Sequence, residues 1–512
     1  MAAGPGTAPA AEPAALRLPH RLRELRHARV DLVGVASVEA GEMARYLLAA
    51  GFAHLVGHDL QPDLESLRRS HRLAHAGLRP EERREHLDGL LQGLQRLHLG
   101  TEYLQGIERS QLIIATQGWF LSPANSGLQH LRAQGHPFYS LIQAYLDLAL
   151  GQVVGITGSH GKSTTSALAA ALLRQSGRYQ SVWLAGNDRH DRQALLEVAS
   201  DSGQGCLVLE ISNRQLLQLD RAPELACLTN ITPNHLEEHG GLRGYIRAKR
   251  RIFQLPGCRT VVRNGDDRLS FAGGRLPPGL REVRFAREEL WLAGRDGAFE
   301  AEGWLQLRRG GESRPVLPTS QIPLMGEHNL ANARAALAIL ASLGPGPQDE
   351  RERAARALHN FHGLVHRTQL VRRHQGVDYV DDLSSTTPQS TVAAVLALGR
   401  ACTLIAGGED KGIDFQHLAK LVGGPVRTLV LLPGAGSDRL EQAVREEGGG
   451  ELIHRCKDLH GAVDLAASLA RSGEAVLLSP ACPGFFSAHY RQGGFRQAVR
   501  SATSPRPRTG PG

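Results

Sequence analysis

Apolar residues in this chain come in short runs and helical spacings rather than in long blocks, and the alternation of the two predicts an α/β protein. Residues 30–36 (Val-Asp-Leu-Val-Gly-Val-Ala) read as a buried strand. Helical spacing follows over 38–50 and a second strand over 54–59, so the chain opens on a β-α-β unit. Residues 61–108 are polar and mostly helical. A strand at 112–116 ends in Gln117-Gly118, and helical spacing resumes over 127–134. A β-α-β unit binds a dinucleotide when glycines let the backbone approach phosphate. Here the glycines are Gly34 and Gly41 without Gly-x-Gly-x-x-Gly, so a plain structural unit and a phosphate site both stay open.

At 152–157 an apolar strand runs into Gly158-Ser159-His160-Gly161-Lys162-Ser163-Thr164-Thr165, followed by an Ala/Leu-rich helix to residue 173. Strand, glycine loop, Lys-Ser and helix form the layout that cradles phosphates. Backbone N–H groups and the helix N-terminus face the anion, Lys162 supplies charge, and Ser163 offers a hydroxyl to magnesium. Ile156 stands where the strict spacing has its first glycine, so the match is to the tighter Gly-x-x-Gly-Lys-Ser. Strands and helices alternate through residue 341, and Pro345-Gly346-Pro347 marks a linker. Strands at 377–381, 403–406, 428–432 and 475–478 predict a third α/β domain. The expected division is a loose tail (1–25), an N-terminal Rossmann-like domain (26–150), a central P-loop-type ATPase sheet (151–363), a C-terminal Rossmann-like domain (364–502) and a second loose tail (503–512).

Composition narrows the class. The 512 residues suit about three domains, and with 41% apolar and 21% charged residues the chain reads as globular. No run of about 18 apolar residues predicts a membrane-spanning helix. The first twenty residues lack the basic start and apolar stretch of a secretory signal, and six scattered cysteines form no Cys-x-x-Cys pair, so a reducing cytoplasm is expected. The net charge is +8, yet the arginines are dispersed among acids and no basic stretch is interleaved with aromatics, which argues against a nucleic-acid partner. Of 59 basic residues only five are lysines: Lys162, Lys249, Lys411, Lys420 and Lys457. A lysine that survives such a bias points to chemistry arginine cannot copy, because guanidinium offers no nucleophilic amine.

Two further segments carry chemistry. Glu210 closes the apolar strand at 206–209, where a magnesium ligand beyond a phosphate loop belongs. Asn230-Ile231-Thr232-Pro233-Asn234-His235 follows another apolar strand, so His235 is placed toward the same end. Lys249 sits among Arg247, Arg250 and Arg251. Its amine is able to take up carbon dioxide, and the resulting carbamate is an oxygen ligand for a metal.

Over about residues 30–500 these motifs resemble the Mur ligases, ATP-dependent amino-acid ligases that build the peptide of peptidoglycan, and most of all their D-glutamate-adding branch. The resemblance implies addition of D-glutamate to UDP-N-acetylmuramoyl-L-alanine through an acyl phosphate, with ATP and two Mg²⁺ ions, by a cytoplasmic monomer with no membrane insertion. It assigns Gly158, Ser159, His160, Gly161, Lys162, Ser163 and Thr164 to the phosphates, and Asn187, Asn329, Asn332, Arg367 and Asp382 to the nucleotide. Ser163, Glu210, His235 and carbamylated Lys249 are the implied metal ligands, and Lys162, Lys249, His235 and Glu210 the catalytic set. Lys411, Thr386 and Gly484 fall on the amino-acid side, and Ser37, Asp59 and Gly118 on the UDP side.

The departures lie in the substrate-recognising parts. The family's Asp-Ser-Lys-Ala-Thr-Asn is here Asp382-Leu383-Ser384-Ser385-Thr386-Thr387, without the cation. Ser479-Pro480-Ala481-Cys482 is followed by Pro483-Gly484 where the family has Ala-Ser. The UDP-facing loop reads Val35-Ala36-Ser37-Val38-Glu39, and Glu39 beside a pyrophosphate repels it unless it turns away. His160 resembles alanine-adding relatives. A Mur-like ligase with another amino acid or acceptor, and a non-catalytic ATP-binding paralogue, therefore stand as alternatives. Retention of Lys249 argues against the second, since ATP binding alone needs no carbamate.

Overall fold

The computed structural model describes residues 16–75, 77–122, 125–187, 193–233, 236–410, 412–484 and 494–504, with the backbone alone at 117 and 121. As the sequence pattern predicts, it is an α/β protein of three sheets. The first holds β1 (Val30–Val33), β2 (Leu55–Asp59), β3 (Arg96–Leu99), β4 (Leu112–Ile114) and β5 (Phe138–Tyr139), all parallel, in the order β3-β2-β1-β4-β5. Such strands are buried on both faces by their crossover helices, which is why they read as short continuous apolar runs.

The central sheet holds β6 (Gln152–Thr157), β7 (Ser181–Gly186), β8 (Gly205–Glu210), β9 (Leu225–Leu228), β10 (Thr260–Asn264), β11 (Arg281–Phe285), β12 (Gly297–Ala301), β13 (Trp304–Arg309) and β14 (Glu312–Pro318). Its order is β14-β13-β12-β11-β10-β9-β6-β8-β7. From β6 the chain continues to one side through β7 and β8 and then to the other at β9. The loop after β6 therefore opens at a switch point, where α/β sheets bind ligands. The register places Ile156 beside both Glu210 and Cys227, and Thr157 beside Leu228. Antiparallel pairing begins at β12–β13, joined by Glu302-Gly303 with φ of 52° and 76°, the positive values a two-residue hairpin turn requires.

The third sheet holds β15 (Gln369–His374), β16 (Val377–Asp381), β17 (Cys402–Gly407), β18 (Val426–Leu431), β19 (Ile453–Arg455) and β20 (Ala475–Ala481), in the order β15-β16-β20-β17-β18-β19. Only the β15–β16 pair is antiparallel among these. The chain divides into two compact units. One comprises 1–317 and 332–358, and the other 318–331 and 359–512. The first two sheets thus share a unit, whereas the sequence separates them at residue 150.

The reason is a common core. Leu22, Val30, Tyr46 and Tyr145 belong to one buried cluster with Leu195, Leu209, Leu228 and Val261. Polar bonds cross the same seam. Leu195 N donates to Glu42 Oε1 at 2.9 Å, Gln218 Nε2 donates to the Ala115 carbonyl at 3.0 Å, and Ala194 N donates to the Tyr145 hydroxyl at 2.8 Å. The tail expected to be loose through residue 25 is ordered from residue 16. A short helix, His20–Arg23, buries Leu22 completely, and Arg17 joins the Ala199 and Val198 carbonyls. Its Ala/Pro/Gly-rich start gave no hint of this, because the anchoring groups are on a strand-helix segment far along the chain. At the other end, Thr503 is buried and its N–H caps the helix Gly494–Ala502 through Val499, so the loose segment expected from 503 does not begin there.

Candidate active site

The loop after β6 is shaped by contacts that exclude side chains. Gly161 has φ of 78°, and a Cβ on it would collide with the Asn332 side chain. One on Gly158 would collide with the Thr229 hydroxyl. The segment after β9 holds the loop from the other side. His160 N donates to Asn230 Oδ1 at 2.9 Å, and the Thr229 hydroxyl donates to the His160 carbonyl at 2.7 Å. Ser159 N donates to the Asn230 carbonyl at 3.0 Å. Helix Lys162–Gln175 starts directly after Gly161, so its N-terminus, the end that favours an anion, faces the loop. Asn332 accepts from Thr165 Oγ1 at 3.2 Å, so it buttresses this helix from behind.

Lys162 Nζ donates back to the Gly158 and Ser159 carbonyls at 2.9 and 3.1 Å. Lys249, 1% exposed on helix Leu242–Gln254, donates to the same Gly158 carbonyl at 2.7 Å. Two of the five lysines thus converge on one backbone oxygen. Burial, and then the charge of Lys162, holds the Lys249 amine well below the usual lysine range. The neutral amine is the nucleophilic form. Its Nζ lies 4.7 Å from the centre of the Tyr245 ring, whose hydroxyl is 3.0 Å from Ser159 Oγ. Tyr245 was assigned no role by the sequence, although its spacing of four from Lys249 puts both on one helix face.

Glu210, at the end of β8, is 2% exposed. Oε1 accepts from Asn187 Nδ2 at 2.9 Å, and Oε2 is buried with no hydrogen-bond partner among the described residues. A buried carboxylate oxygen left bare is costly unless something cationic meets it. With the Ser163 hydroxyl at the helix start, this donor set of hard oxygens fits Mg²⁺. Lys162, Lys249, Glu210, Asn187, Ser163 and Asn332 are therefore gathered by one unit. His235 lies outside the described residues.

The UDP-side candidates are placed by the first sheet. Ser37 caps helix Val38–Ala49, accepting from Ala40 N at 3.3 Å. Asp59 accepts from Ala36 N and Gln61 N at 3.1 and 3.2 Å, so its carboxylate fastens the loop that carries Ser37. Gly118 is exposed. Glu39 is turned onto Gln215, whose Nε2 donates to Glu39 Oε1 at 2.8 Å.

In the second unit, Asn329 Nδ2 donates to the Met325 carbonyl at 2.8 Å. His366, with φ of 65°, places Nδ1 2.8 Å from Asp381 Oδ2, and Arg367 follows it. Asp382 accepts from Thr368 N, Thr368 Oγ1 and Ser479 Oγ at 3.0, 3.2 and 2.8 Å. Thr386 is half-buried between Ser385 and the Thr387 that caps helix Pro388–Ala397. Gly484, φ 78°, is backed by Glu409, and a Cβ there would strike the Glu409 carboxylate. A serine would need Glu409 to move, so the Gly484 departure and Glu409 go together. Lys411 lies outside the described residues.

Burial pushes the Asp382 carboxyl up from 3.8 to about 6, against hydrogen bonds from Ser385, Ser479 and Thr368 that pull it down. The folded state thus holds this proton more tightly than the unfolded state. Its contribution to stability is complete below about pH 4 and is lost as pH rises through about 6. Thermal unfolding followed over that range is expected to show the loss in the native protein and not in Asp382→Asn. An identical slope in both would exclude Asp382 as its source.

The comparisons with known proteins agree with this geometry. Residues 156–340 match the Mur ligase middle domain, and residues 366–482 match the Mur ligase glutamate ligase domain. The chain is 37% identical over 391 residues to a UDP-N-acetylmuramoylalanine–D-glutamate ligase of Symbiobacterium thermophilum, covering 75% of this chain and 82% of that one. With the ligase of the same name from Roseiflexus it shares 32% over 437 residues, covering 83% and 91%. Among solved structures, the UDP-N-acetylmuramate-alanine ligase of Thermotoga maritima aligns with a TM-score of 0.56 at 17% identity, over 93% of this chain and 98% of that one, which shows the shared fold. The phosphate loop, the converging lysines and the likeness over most of the length agree: the chain belongs to the Mur ligase family, the ATP-dependent amide-forming ligases of peptidoglycan synthesis.

Proposed function

We propose that this protein joins D-glutamate to UDP-N-acetylmuramoyl-L-alanine. The likeness to ligases bearing that name, over three quarters of the chain and more, supports the choice of substrates. The observation that carries the chemistry is Lys249: a buried amine, held well below the usual lysine range, on the carbonyl of the phosphate loop. Its lone pair adds to the carbon of CO₂, a C–N bond forms, and a proton leaves to solvent. The product is a carbamate, an anionic oxygen ligand that arginine cannot become.

Glu210, Ser163, His235 and carbamylated Lys249 would hold two Mg²⁺ ions, which would neutralise charge on the phosphate oxygens. Lys162 swings from the Gly158 and Ser159 carbonyls to the γ-phosphate, while the helix N-terminus and loop amides hold the β-phosphate. Asn187 keeps the Glu210 carboxylate aimed. The substrate carboxylate attacks the γ-phosphorus, ADP leaves, and the acyl phosphate forms. The amine of the amino acid then attacks the acyl carbon, phosphate leaves, and an amide remains. Asn329, Asn332, Arg367 and Asp382 are assigned to the nucleotide, and Lys411, Thr386 and Gly484 to the amino acid. Ser37, Asp59 and Gly118 are assigned to the UDP moiety.

Phosphate release from ATP and Mg²⁺, with UDP-N-acetylmuramoyl-L-alanine and a panel of amino acids, tests this directly. A product heavier by one D-glutamate, read by mass, is the expected result. Turnover with another amino acid alone would overturn the D-glutamate choice. ATP binding without turnover on any of them would overturn the acceptor or the reaction.

A further inference from the structure

A second cluster of ligating side chains lies in the first sheet's helical layer, away from the phosphate loop. His71 and His75 are four apart, His71 on helix Leu64–Ala74 and His75 as its C-terminal cap. That spacing puts two imidazoles on one face. His86 comes from the next helix, Pro80–Gly93. One ring nitrogen from each of the three lies within 4.8 Å of the others. His71 Nε2 is 2.9 Å from His86 Nδ1, so one ring lends a proton to the other's lone pair.

Two of the rings are almost fully buried, yet among the described residues His71 Nδ1 and His75 Nε2 have no hydrogen-bond partner. A buried polar atom left unpartnered is costly unless a ligand meets it. Space has been kept for the rings: Gly41, in the middle of helix Val38–Ala49, would with a Cβ come within 3.0 Å of His86 Cε1 and 3.5 Å of His75 Nε2. A glycine inside a helix costs about 1 kcal/mol against alanine. The cluster borders a cavity of about 590 Å³, also lined by Glu82 and Glu85.

We propose that His71, His75 and His86 form a binding site for a divalent transition metal of the zinc class, clamping the two helices that carry them. Three imidazoles select such an ion over Mg²⁺, which prefers oxygen. A carboxylate from the cavity wall or a water supplies the fourth position. Tetrahedral coordination separates ligand nitrogens by roughly 3.4 Å. The His71 and His75 rings are stacked 4.1 Å apart, and a metal ion would require them to tilt toward it. Burial, with the charges of His86 and neighbouring arginines adding, pushes His71 down to about 4 and His75 down to about 3.

The test uses tag-free full-length protein, stripped with chelator and kept in excess Mg²⁺, titrated with Zn²⁺ alone. One Zn²⁺ per chain and a rise of several degrees in unfolding temperature are expected. The combined His71→Gln and His75→Gln variant is expected to bind at least roughly a hundredfold more weakly. Should that variant fail to fold, the less buried His86→Gln replaces it, read with Co²⁺: visible bands of tetrahedral imidazole coordination in the native protein, lost in the variant. No stoichiometric uptake by the native protein would overturn the proposal. Equal uptake by a folded histidine variant would overturn it too, since the metal would then lie elsewhere.

Discussion

Replacing Lys249 with alanine is expected to lower ligation by roughly a thousandfold or more, the scale of removing a preorganised electrostatic group from a transition state. The prediction follows from three facts taken together. The side chain is buried, burial and the charge of Lys162 hold its amine well below the usual lysine range, and it rests on the carbonyl of the loop that cradles the phosphates. Added bicarbonate has no amine to react with in the variant and is expected to restore nothing. Short carboxylic acids, which bring an equivalent pair of oxygens, are expected to restore part of the rate. Lys249→Arg keeps the charge and loses the nucleophile, so it should stay inactive. Initial rates of phosphate release, with nucleotide binding measured in parallel to establish folding, decide the matter. Full activity in Lys249→Arg would end the carbamate argument.

Lys162→Met is expected to cost roughly a hundred- to a thousandfold in kcat at saturating ATP, with a smaller change in ATP affinity. Methionine preserves the length and apolar stem and removes only the ammonium. In the resting structure that ammonium is held by two loop carbonyls, a position that costs little to leave when phosphate arrives. A planar guanidinium cannot reproduce this, because a fork of fixed shape replaces a compact point charge. Lys162→Arg should therefore recover little. The informative measurement is the split between kcat and KM. A pure KM effect would mean that Lys162 holds bound ATP without favouring the transferring phosphoryl group.

The fold was legible in the sequence wherever local pattern decides it. Strands at 152–157 and 377–381 have the bounds expected, because buried parallel strands show as short apolar runs. The phosphate loop and the two converging lysines were legible for a different reason: an arginine-rich chain makes a retained lysine stand out. The seam between the first two sheets was not. It depends on pairs such as Gln215 with Glu39, whose partners are 176 residues apart and carry no local signature. The role of Glu39 was opaque for the same reason, since its neighbours in sequence suggest repulsion from phosphate while its neighbour in space is an amide. The three histidines were hidden in a segment whose polar, helical character was read correctly. The signal was there in the spacing His71-x-x-x-His75, but only the packing of the next helix brings in His86.

The common core of the first two sheets has a consequence for how the chain is made. On the ribosome the β3-β2-β1-β4-β5 sheet emerges first, but the residues that bond to its layer across the seam, such as Ala194, Leu195, Gln215 and Gln218, come later. Until that stretch has left the exit tunnel, a half-covered apolar face waits in the cytosol, a natural client for chaperones. The same seam limits inheritance. A first-sheet module grafted from a relative would arrive without its matching surface.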